Sequence, residues 1–182
     1  MRSLIDTTRS TAAHDTVPEM SSRTIETTIL YPTKGQPGGA VTPNAPVDRS
    51  GPRFPLIVLS HGLGGSVAGL LPLGEAWASK GYIVALPQFP LTSNVTPGGP
   101  AGQDVQNQPG DVSFIIDEIL SESFSKGMLL SKSVNGEKIA AAGHSNGGIT
   151  TYGLIAHSCC RDERVKSAII LSGVASPFTG VE

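Results

Sequence analysis

Apolar and polar residues follow one another along this chain in blocks that predict strands and helices in turn. The segment from Arg23 to Pro32 is rich in β-branched residues and predicts a first, peripheral strand. Four later apolar runs are typical of strands that are buried on both faces. These runs are Pro55–Ser60, Tyr82–Pro87, Lys138–Gly143 and Val165–Gly173.

Helical segments lie between the apolar runs. Leu70 to Lys80 predicts a helix with Trp77 on its core face, and a second helix opens at Pro109. The second helix has apolar residues at the spacing of one helical face, namely Val112, Ile115, Ile116 and Ile119. A third helix is predicted from about Asn146 to Ser158. Alternating strands and helices indicate an α/β fold with a mainly parallel sheet, helices on both faces and ligands near the carboxyl ends of the strands.

Length and charge narrow the classes of function. The 182 residues carry a formal net charge of −2, which fits one ordinary domain. We expect residues 1–21 to form a loose N-terminal segment and residues 22–182 to form the domain. Without a cluster of Lys and Arg, neither nucleic acid nor a polybasic membrane contact is expected. No apolar run is long enough to predict a membrane-spanning helix.

The sequence leaves localisation and oligomeric state open. The N-terminus has no apolar stretch of the kind found in signal peptides, although an incomplete start would give the same observation. The adjacent cysteines Cys159 and Cys160 are poorly placed to pair with each other, because neighbours do not easily meet disulfide geometry. We therefore expect two small, partly buried apolar residues, and no metal site, since no cysteine or histidine pair has ligand spacing.

A candidate nucleophile follows the third buried strand. Gly143-His144-Ser145-Asn146-Gly147 matches the pattern G-x-S-x-G and lies between a predicted strand and a predicted helix. This pattern needs small residues on both sides of the serine, because the turn from strand to helix is tight and strained. The turn would expose the serine oxygen above the sheet and direct the amides at the start of the helix toward developing negative charge.

A second motif ends the strand at 55–60. In Ser60-His61-Gly62-Leu63-Gly64-Gly65, the glycines allow a backbone amide to turn toward the serine. We expect the backbone N–H groups of Leu63 and Asn146 to form an oxyanion hole, which is a pair of donors for the negatively charged oxygen of an acyl-transfer intermediate. The expected supporting residues of this loop are His61, Gly62 and Gly64. Those of the turn that holds the serine are Gly143, His144 and Gly147.

With these two motifs, the chain resembles an α/β-hydrolase over roughly residues 22 to 176. It is similar to the bacterial esterases related to platelet-activating-factor acetylhydrolase, dienelactone hydrolase and polyester hydrolases. The segments that carry the resemblance are FPLIVLSHGLGG at 54–65, WASKGYIVALPQFP at 77–90, QPGDVSFIIDEIL at 108–120 and KIAAAGHSNGG at 138–148.

The resemblance implies hydrolysis of carboxylic esters through an acyl-serine intermediate, with Ser145 as nucleophile and with neither metal nor organic cofactor. The implied substrate is a small-molecule or lipid ester, either a short-chain acyl ester, a lipid ester or a polyester. Dienelactone hydrolases proper use a cysteine nucleophile, so their own chemistry is not implied. The loop from Gln88 to Gly110, with Phe89, Leu91 and Val95, is expected to border the acyl site.

The acid and the histidine of a catalytic triad are not found in the sequence. In this fold they follow the serine in the order acid, then histidine. Residues 146–182 contain one histidine, His157, and three acids, Asp162, Glu163 and Glu182. His157 lies 12 positions after Ser145, about 18 Å away along a helix. His144 should diverge from Ser145, His61 is expected to be structural, and His14 lies in the N-terminal segment.

Three interpretations remain. In the first, the chain is the N-terminal part of a longer hydrolase, with the acid and histidine beyond residue 182; the last strand would then leave an apolar sheet edge prone to aggregation. In the second, it is a non-catalytic α/β-hydrolase-like binding protein, or a truncated remnant, without a general base. In the third, a partner chain supplies the missing pair. Asp104, Asp111 and Asp117 precede the serine and are expected at a loop, a helix start and a solvent-exposed face.

Overall fold

The fold is seen in a computed structural model that describes residues 1–35 and 41–175. The described residues form one six-stranded sheet, in the order β1-β2-β4-β3-β5-β6. The strands are β1 (Arg2–Asp6), β2 (Arg23–Leu30), β3 (Phe54–Ser60), β4 (Ile83–Gln88), β5 (Val134–His144) and β6 (Val165–Leu171). The strands β4, β3, β5 and β6 run parallel, whereas β1 and β2 are antiparallel to their neighbours. The predicted, mainly parallel α/β sheet is confirmed.

Helices cover both faces of this sheet. They are α1 (Val67–Ala78), α2 (Gln108–Phe124) and α3 (Asn146–Ala156), and a 3₁₀ segment, Gly102–Asn107, leads into α2. Because side chains alternate along a strand, Leu56 and Val58 of β3 pack in the core on the α2 side, while Ile57 and Leu59 pack on the α1 side. The four apolar positions predicted on α2 are all buried, and Trp77 packs, half-buried, against the α1-side core.

The N-terminal segment is not loose, and that expectation is wrong. Strand β1 pairs with β2 from Arg2 opposite Thr27 to Asp6 opposite Arg23. Beyond β1, Thr11 and Met20 form an isolated bridge, and the ring Nε2 of His14 donates a hydrogen bond of 2.7 Å to the carbonyl of Gly99. Strand β2 is therefore an inner strand, because β1 satisfies the backbone groups along its outer side.

A buried ion cluster connects β2 with the start of α2. The Arg23 guanidinium contacts the carboxylates of Asp104 and Asp111 at 2.6 Å each, and all three side chains are at most 3% exposed. Arg9 adds a contact of 2.8 Å to Asp111. Burial opposes the charge on Arg23, but its hydrogen bonds to Asp111 and Asp104 outweigh that effect and raise its pKa. Asp111 does lie in the first turn of α2, as predicted; the pairing of Asp104 and Asp111 with Arg23 was not foreseen.

The cysteines also differ from expectation. Cys159 and Cys160, in the turn after α3, are joined to each other in a disulfide, and Cys159 is exposed. The prediction of two unpaired, partly buried residues is therefore wrong. Their Cα atoms are 3.7 Å apart, as adjacent residues must be, so the bond closes only a small ring within the turn.

Strand β6 is the least covered strand of the sheet. Within the described residues it pairs with β5 and has no strand on its other side. Ile169, Ile170 and Leu171 are 43%, 37% and 38% exposed, although residues of this type are usually buried in a parallel sheet. In the described ranges, no helix is long and apolar enough to cross a membrane.

Candidate active site

Ser145 lies in the turn between β5 and α3, at the carboxyl end of the sheet. Its backbone has φ 53° and ψ −118°, a strained combination for a residue with a side chain. The Ser145 N–H donates to the carbonyl of Leu171 on β6 (2.8 Å), and its own carbonyl accepts the N–H of Gly148 (2.8 Å). The sharp strand-to-helix turn expected of G-x-S-x-G is thus present, and its ends are fixed by the neighbouring strand and helix.

The glycines on either side of Ser145 are required by close backbone contacts. A Cβ at Gly143 would overlap the carbonyl of Gly147, and a Cβ at Gly147 would overlap the carbonyl of Ser60 at the end of β3. A Cβ at Gly148 would lie 2.7 Å from the Cα of Gly173. Helix α3 therefore approaches both neighbouring strands more closely than any residue with a side chain would allow.

The loop after β3 lies directly beside Ser145. A Cβ at Gly62 would be 3.1 Å from the Cβ of Ser145 and 3.2 Å from the carbonyl oxygen of His144. The loop then turns tightly, with the Gly65 N–H donating to the Gly62 carbonyl (2.9 Å) and with Gly64 at φ 66°. The two sequence motifs are thereby brought together, because β3 and β5 are adjacent and Ser60 pairs with Gly143.

His61 is a structural residue of this loop. It is 1% exposed, its Nδ1 donates to the Gly62 carbonyl (2.7 Å), and its Nε2 accepts the backbone N–H of Phe89 (3.2 Å). Burial lowers the pKa of His61, partly offset by the hydrogen bond to Gly62. With both ring nitrogens engaged, this neutral imidazole holds the loop and is not placed to take a proton from Ser145.

The predicted oxyanion donors lie on these two segments. Leu63 follows Gly62 in the loop, and its side chain is 46% exposed and lies beside Gly102. Asn146 is the first residue of α3, so its N–H is among the amides that a helix leaves without an internal acceptor. The predicted donors at both positions are the backbone N–H groups, and no role is assigned to the side chains.

The loop from 88 to 110 is only partly as expected. Gly65 and Ser93 form a parallel bridge, the Gly64 N–H donates to the Thr92 carbonyl (2.8 Å), and the Asn94 N–H donates to the Gly65 carbonyl (3.0 Å). This loop therefore adjoins the loop after β3. Phe89 is a fully buried core residue whose ring packs against that of His61. Leu91 is also buried, and Val95, 70% exposed, is the one of the three that faces solvent.

No acid–histidine pair approaches Ser145 within the described residues. His157 caps the far end of α3 and packs edge-on against Tyr152, and His14 is bonded to Gly99. The side chain of His144 is exposed. Glu182 lies outside the described residues.

Asp162 is committed to another interaction. Burial opposes its charge, but hydrogen bonds donated by Arg164 and Ser113 outweigh this and hold the pKa of Asp162 below its ordinary value. Asp117 contacts the same Arg164 and is 60% exposed, which agrees with its predicted solvent-exposed face. The described residues also contain no cluster of His, Cys, Asp or Glu that could hold a metal ion.

Three residues near the site escaped sequence reasoning. Gln108, Thr92 and Thr150 are fully buried and joined by side-chain hydrogen bonds. The sequence contained little to indicate them. Gln108 precedes Pro109 at the start of a predicted helix, where a polar residue is usually exposed to solvent.

Comparison with solved structures agrees with this geometry. A ferulic acid esterase from Streptomyces cinnamoneus superposes with a TM-score of 0.69 at 25% identity, over 94% of this chain and 57% of the esterase. An esterase from Thermogutta terrifontis, with propionate bound, gives a TM-score of 0.53 at 17% identity, over 82% of this chain and 50% of its own. The chain has the α/β-hydrolase fold.

Other comparisons extend this result. An enol-lactonase from Burkholderia xenovorans LB400 matches this chain with a TM-score of 0.51 at 18% identity, over 83% of this chain and 44% of the lactonase. The sequence model of the family "Platelet-activating factor acetylhydrolase, isoform II" matches residues 20–95, which include β2, β3, the loop after β3 and β4 but not Ser145. A comparison with curated protein sequences finds no match. This chain spans 57% of the length of the ferulic acid esterase and less of the other two structures.

Proposed function

We propose that this α/β-hydrolase acts on carboxylic esters with Ser145 as its nucleophile. The observation that carries the proposal is the strained Ser145 backbone at the end of β5 with Gly62 beside it, where a Cβ would lie 3.1 Å from the Cβ of Ser145. Acyl transfer needs a nucleophile that reaches the carbonyl carbon and backbone donors that reach the carbonyl oxygen, and the closeness of the loop after β3 to Ser145 supports this proposal. The esterases and the lactonase of similar fold support the same class of reaction.

In the proposed reaction, the Ser145 oxygen attacks the ester carbonyl carbon and its proton passes to a base. The N–H groups of Leu63 and Asn146 donate to the carbonyl oxygen as it becomes negative. The alcohol leaves with a proton, and water then releases the acid from the acyl-serine. Losing one such donor typically reduces kcat by about 10²–10³-fold.

The base is proposed to be a histidine oriented by a carboxylate, and both are assigned to the remainder of a longer hydrolase. Two observations support this assignment. His14 and His61 are held by other partners and His157 lies at the far end of α3, and the solved hydrolases of similar fold are longer than this chain. Among the residues that the structure describes, no strand lies on the outer side of β6, so further strands could continue the sheet there.

The substrate is proposed to be a short-chain, lipid or polyester-type ester, with short acyl chains preferred. The support is the esterase of similar fold from Thermogutta terrifontis, whose structure holds propionate, a three-carbon acid. Leu63 and Val95, both exposed, would give such a site an apolar rim.

The test is covalent labelling of the protein produced from its complete reading frame. An organophosphonate should label Ser145 irreversibly, as mapped by peptide mass spectrometry, and Ser145→Ala should remove both the label and hydrolysis of p-nitrophenyl acetate. Ser158→Ala, at an exposed serine beyond the far end of α3, serves as the matched control and should change neither. Unchanged hydrolysis by Ser145→Ala would overturn the proposal.

A second candidate function is ligand binding without turnover. It is favoured by one observation, that His61, the buried histidine of the loop beside Ser145, has both ring nitrogens engaged with Gly62 and Phe89. It predicts that an ester binds but is not hydrolysed, and that Ser145→Ala leaves binding largely unchanged.

A further inference from the structure

A single buried amide side chain joins the two halves of the candidate site. Gln108, the first residue of α2, is 0% exposed. Its Nε2 donates a hydrogen bond of 2.6 Å to Oγ1 of Thr92, and its Oε1 accepts one from Oγ1 of Thr150. Thr92 and Thr150 are also 0% exposed. Neither hydroxyl reaches water, so losing Gln108 would leave the Thr92 Oγ1 without its donor and redirect the Thr150 Oγ1.

Each end of this bridge leads to one of the expected oxyanion donors. On one side, the Thr92 carbonyl accepts the N–H of Gly64 (2.8 Å), next to Leu63 in the loop after β3. On the other side, Oγ1 of Thr150 also lies 3.1 Å from the carbonyl of Asn146, one helical turn earlier in α3. Besides the direct contact of Gly62 with Ser145, a path of side-chain hydrogen bonds therefore connects the two motifs through Gln108, which belongs to neither.

A neutral amide suits both ends of this bridge. Its N–H donates toward Thr92 and its oxygen accepts from Thr150, and a primary amide has both on one planar group. A carboxylate could accept from both hydroxyls but would bury a negative charge, and a thioether such as methionine fills the volume with neither function. The ion cluster of Arg23 with Asp104 and Asp111 also fixes the surroundings of Gln108, because it holds the 3₁₀ segment and the first turn of α2 in place.

We propose that Gln108 is a positioning residue for the oxyanion hole, setting the distance between the Leu63 and Asn146 amides through Thr92 and Thr150. The inference rests on the proposed ester hydrolysis and adds to it a residue that does not touch the substrate. Misplacement of a catalytic group by about 1 Å typically costs on the order of 10²-fold in rate. Since donors of an oxyanion hole act mainly on the transition state, the loss should fall on kcat more than on KM.

The experiment measures p-nitrophenyl acetate hydrolysis by the protein from its complete reading frame, in Gln108→Met, Thr92→Val and Thr150→Val. We expect each to reduce kcat by about 10–100-fold while KM changes by less than about threefold. Thr92→Ser and Thr150→Ser retain the hydroxyl and should retain kcat within about threefold. Gln103→Met, at an exposed position in the same 3₁₀ segment, should match the wild type.

A double variant tests whether the three residues act as one unit. If the bridge is the route, Thr92→Val should reduce kcat by less than about twofold when added to Gln108→Met, because the bond is already absent. The two threonine variants keep the test decisive if Gln108→Met does not fold. Variants that melt earlier but keep wild-type kcat well below their melting temperatures would overturn the inference, since they would show stability alone. Full activity of Ser145→Ala would instead overturn the proposed function.

Discussion

Ser145 has a backbone conformation that residues with side chains rarely adopt, and the surrounding residues account for how it persists. Its N–H and carbonyl are both bonded, to Leu171 and Gly148, and glycines on either side remove the Cβ atoms that would otherwise collide. Strain of this kind is kept only where the surrounding structure fixes it. A substitution at a flanking glycine should therefore affect the turn before it affects the rest of the fold.

Gly147→Ala is expected to destabilise the protein and to abolish labelling of Ser145. The new Cβ would overlap the Ser60 carbonyl, so either β3 or α3 must shift, typically at a cost of about 1–3 kcal/mol. The free energy of unfolding from denaturant titration and the rate of organophosphonate labelling are the measurements.

Gly69→Ala provides the matched control for that substitution. Gly69 lies in α1, with nothing within 4 Å of its added Cβ, and alanine there should raise stability by about 0.5–1 kcal/mol. Equal effects of the two alanines would contradict the crowding described at Gly147.

Among individual residues, the sequence predicted those that a local turn requires. It did not predict buried polar residues whose hydrogen-bond or ion-pair partners are distant in the sequence. Gly143 and Gly147 are required by a turn five residues long, so their spacing alone pointed to it. Arg23 and Asp104 are 81 positions apart, and Gln108 and Thr150 are 42 apart. Each of these polar residues is ordinary on a surface, and nothing in the local pattern distinguishes a buried, paired one.

At the scale of elements, hydrophobic periodicity predicted the inner strands β3, β4 and β5 and the face of α2 within a few residues of their observed bounds. Hydrophobic periodicity did not predict β1, because Arg2–Asp6 is short and half polar. This strand is held in the sheet mainly by its backbone pairing with β2. The candidate site was predictable to the extent that it lies at strand ends. The contacts that stabilise the surrounding structure, such as the Thr11–Met20 bridge and the ion cluster of Arg23, could not be predicted from the sequence.

Arg23→Met should reveal how far the ion cluster stabilises the junction of β2 with α2. It would leave Asp104 and Asp111 buried with a reduced set of cationic partners, and breaking a buried pair typically costs about 3–5 kcal/mol. Arg53→Met, at an exposed residue before β3, should stay within about 0.5 kcal/mol of wild type in the same denaturant titration. A loss below about 1 kcal/mol for Arg23→Met would mean that the carboxylates find other partners.

Asp162 predicts a dependence of stability on pH. Because its pKa is lower in the folded protein than in the unfolded chain, its contribution is fully present above the ordinary value of about 3.9 and is lost as pH falls through the lower folded value. Asp162→Asn should therefore be less stable than wild type at pH 6, and the difference should shrink as pH falls below about 4.

Denaturant titrations at several pH values measure this difference. Glu163→Gln, whose side chain is 84% exposed, is the control and should show no comparable difference at any pH. A difference for Asp162→Asn that is constant from pH 6 to pH 3 would contradict the proposed ion pair with Arg164.

At the scale of the whole molecule, the two edges of the sheet are unlike each other. Strand β1 is short and carries Arg2, features that discourage pairing with another chain. Strand β6 is longer and exposes Ile169, Ile170 and Leu171. An uncovered apolar edge of this kind recruits other strands.

The polypeptide of residues 1–182, produced alone, should therefore self-associate. We expect oligomers in size-exclusion chromatography, and fast hydrogen exchange at 169–170 in the remaining monomer fraction. Ile169→Lys should increase the monomer fraction severalfold, because a charge on an edge strand opposes pairing. Ile5→Lys, at an exposed position of β1, should change it little. A stable wild-type monomer with slow exchange at Ile169 and Ile170 would contradict this prediction.

The position of β3 in the sheet also bears on how the protein is made. Leu56 pairs with Ile83 on one side and with Ile139 on the other, so the second pairing closes a far longer loop than the first. On the ribosome, the glycine loop after β3 is therefore complete while the serine it will face is still unsynthesised. Until β5 emerges, one side of a strand that is apolar from Phe54 to Leu59 stays open, and this interval is when the nascent chain should depend most on chaperones.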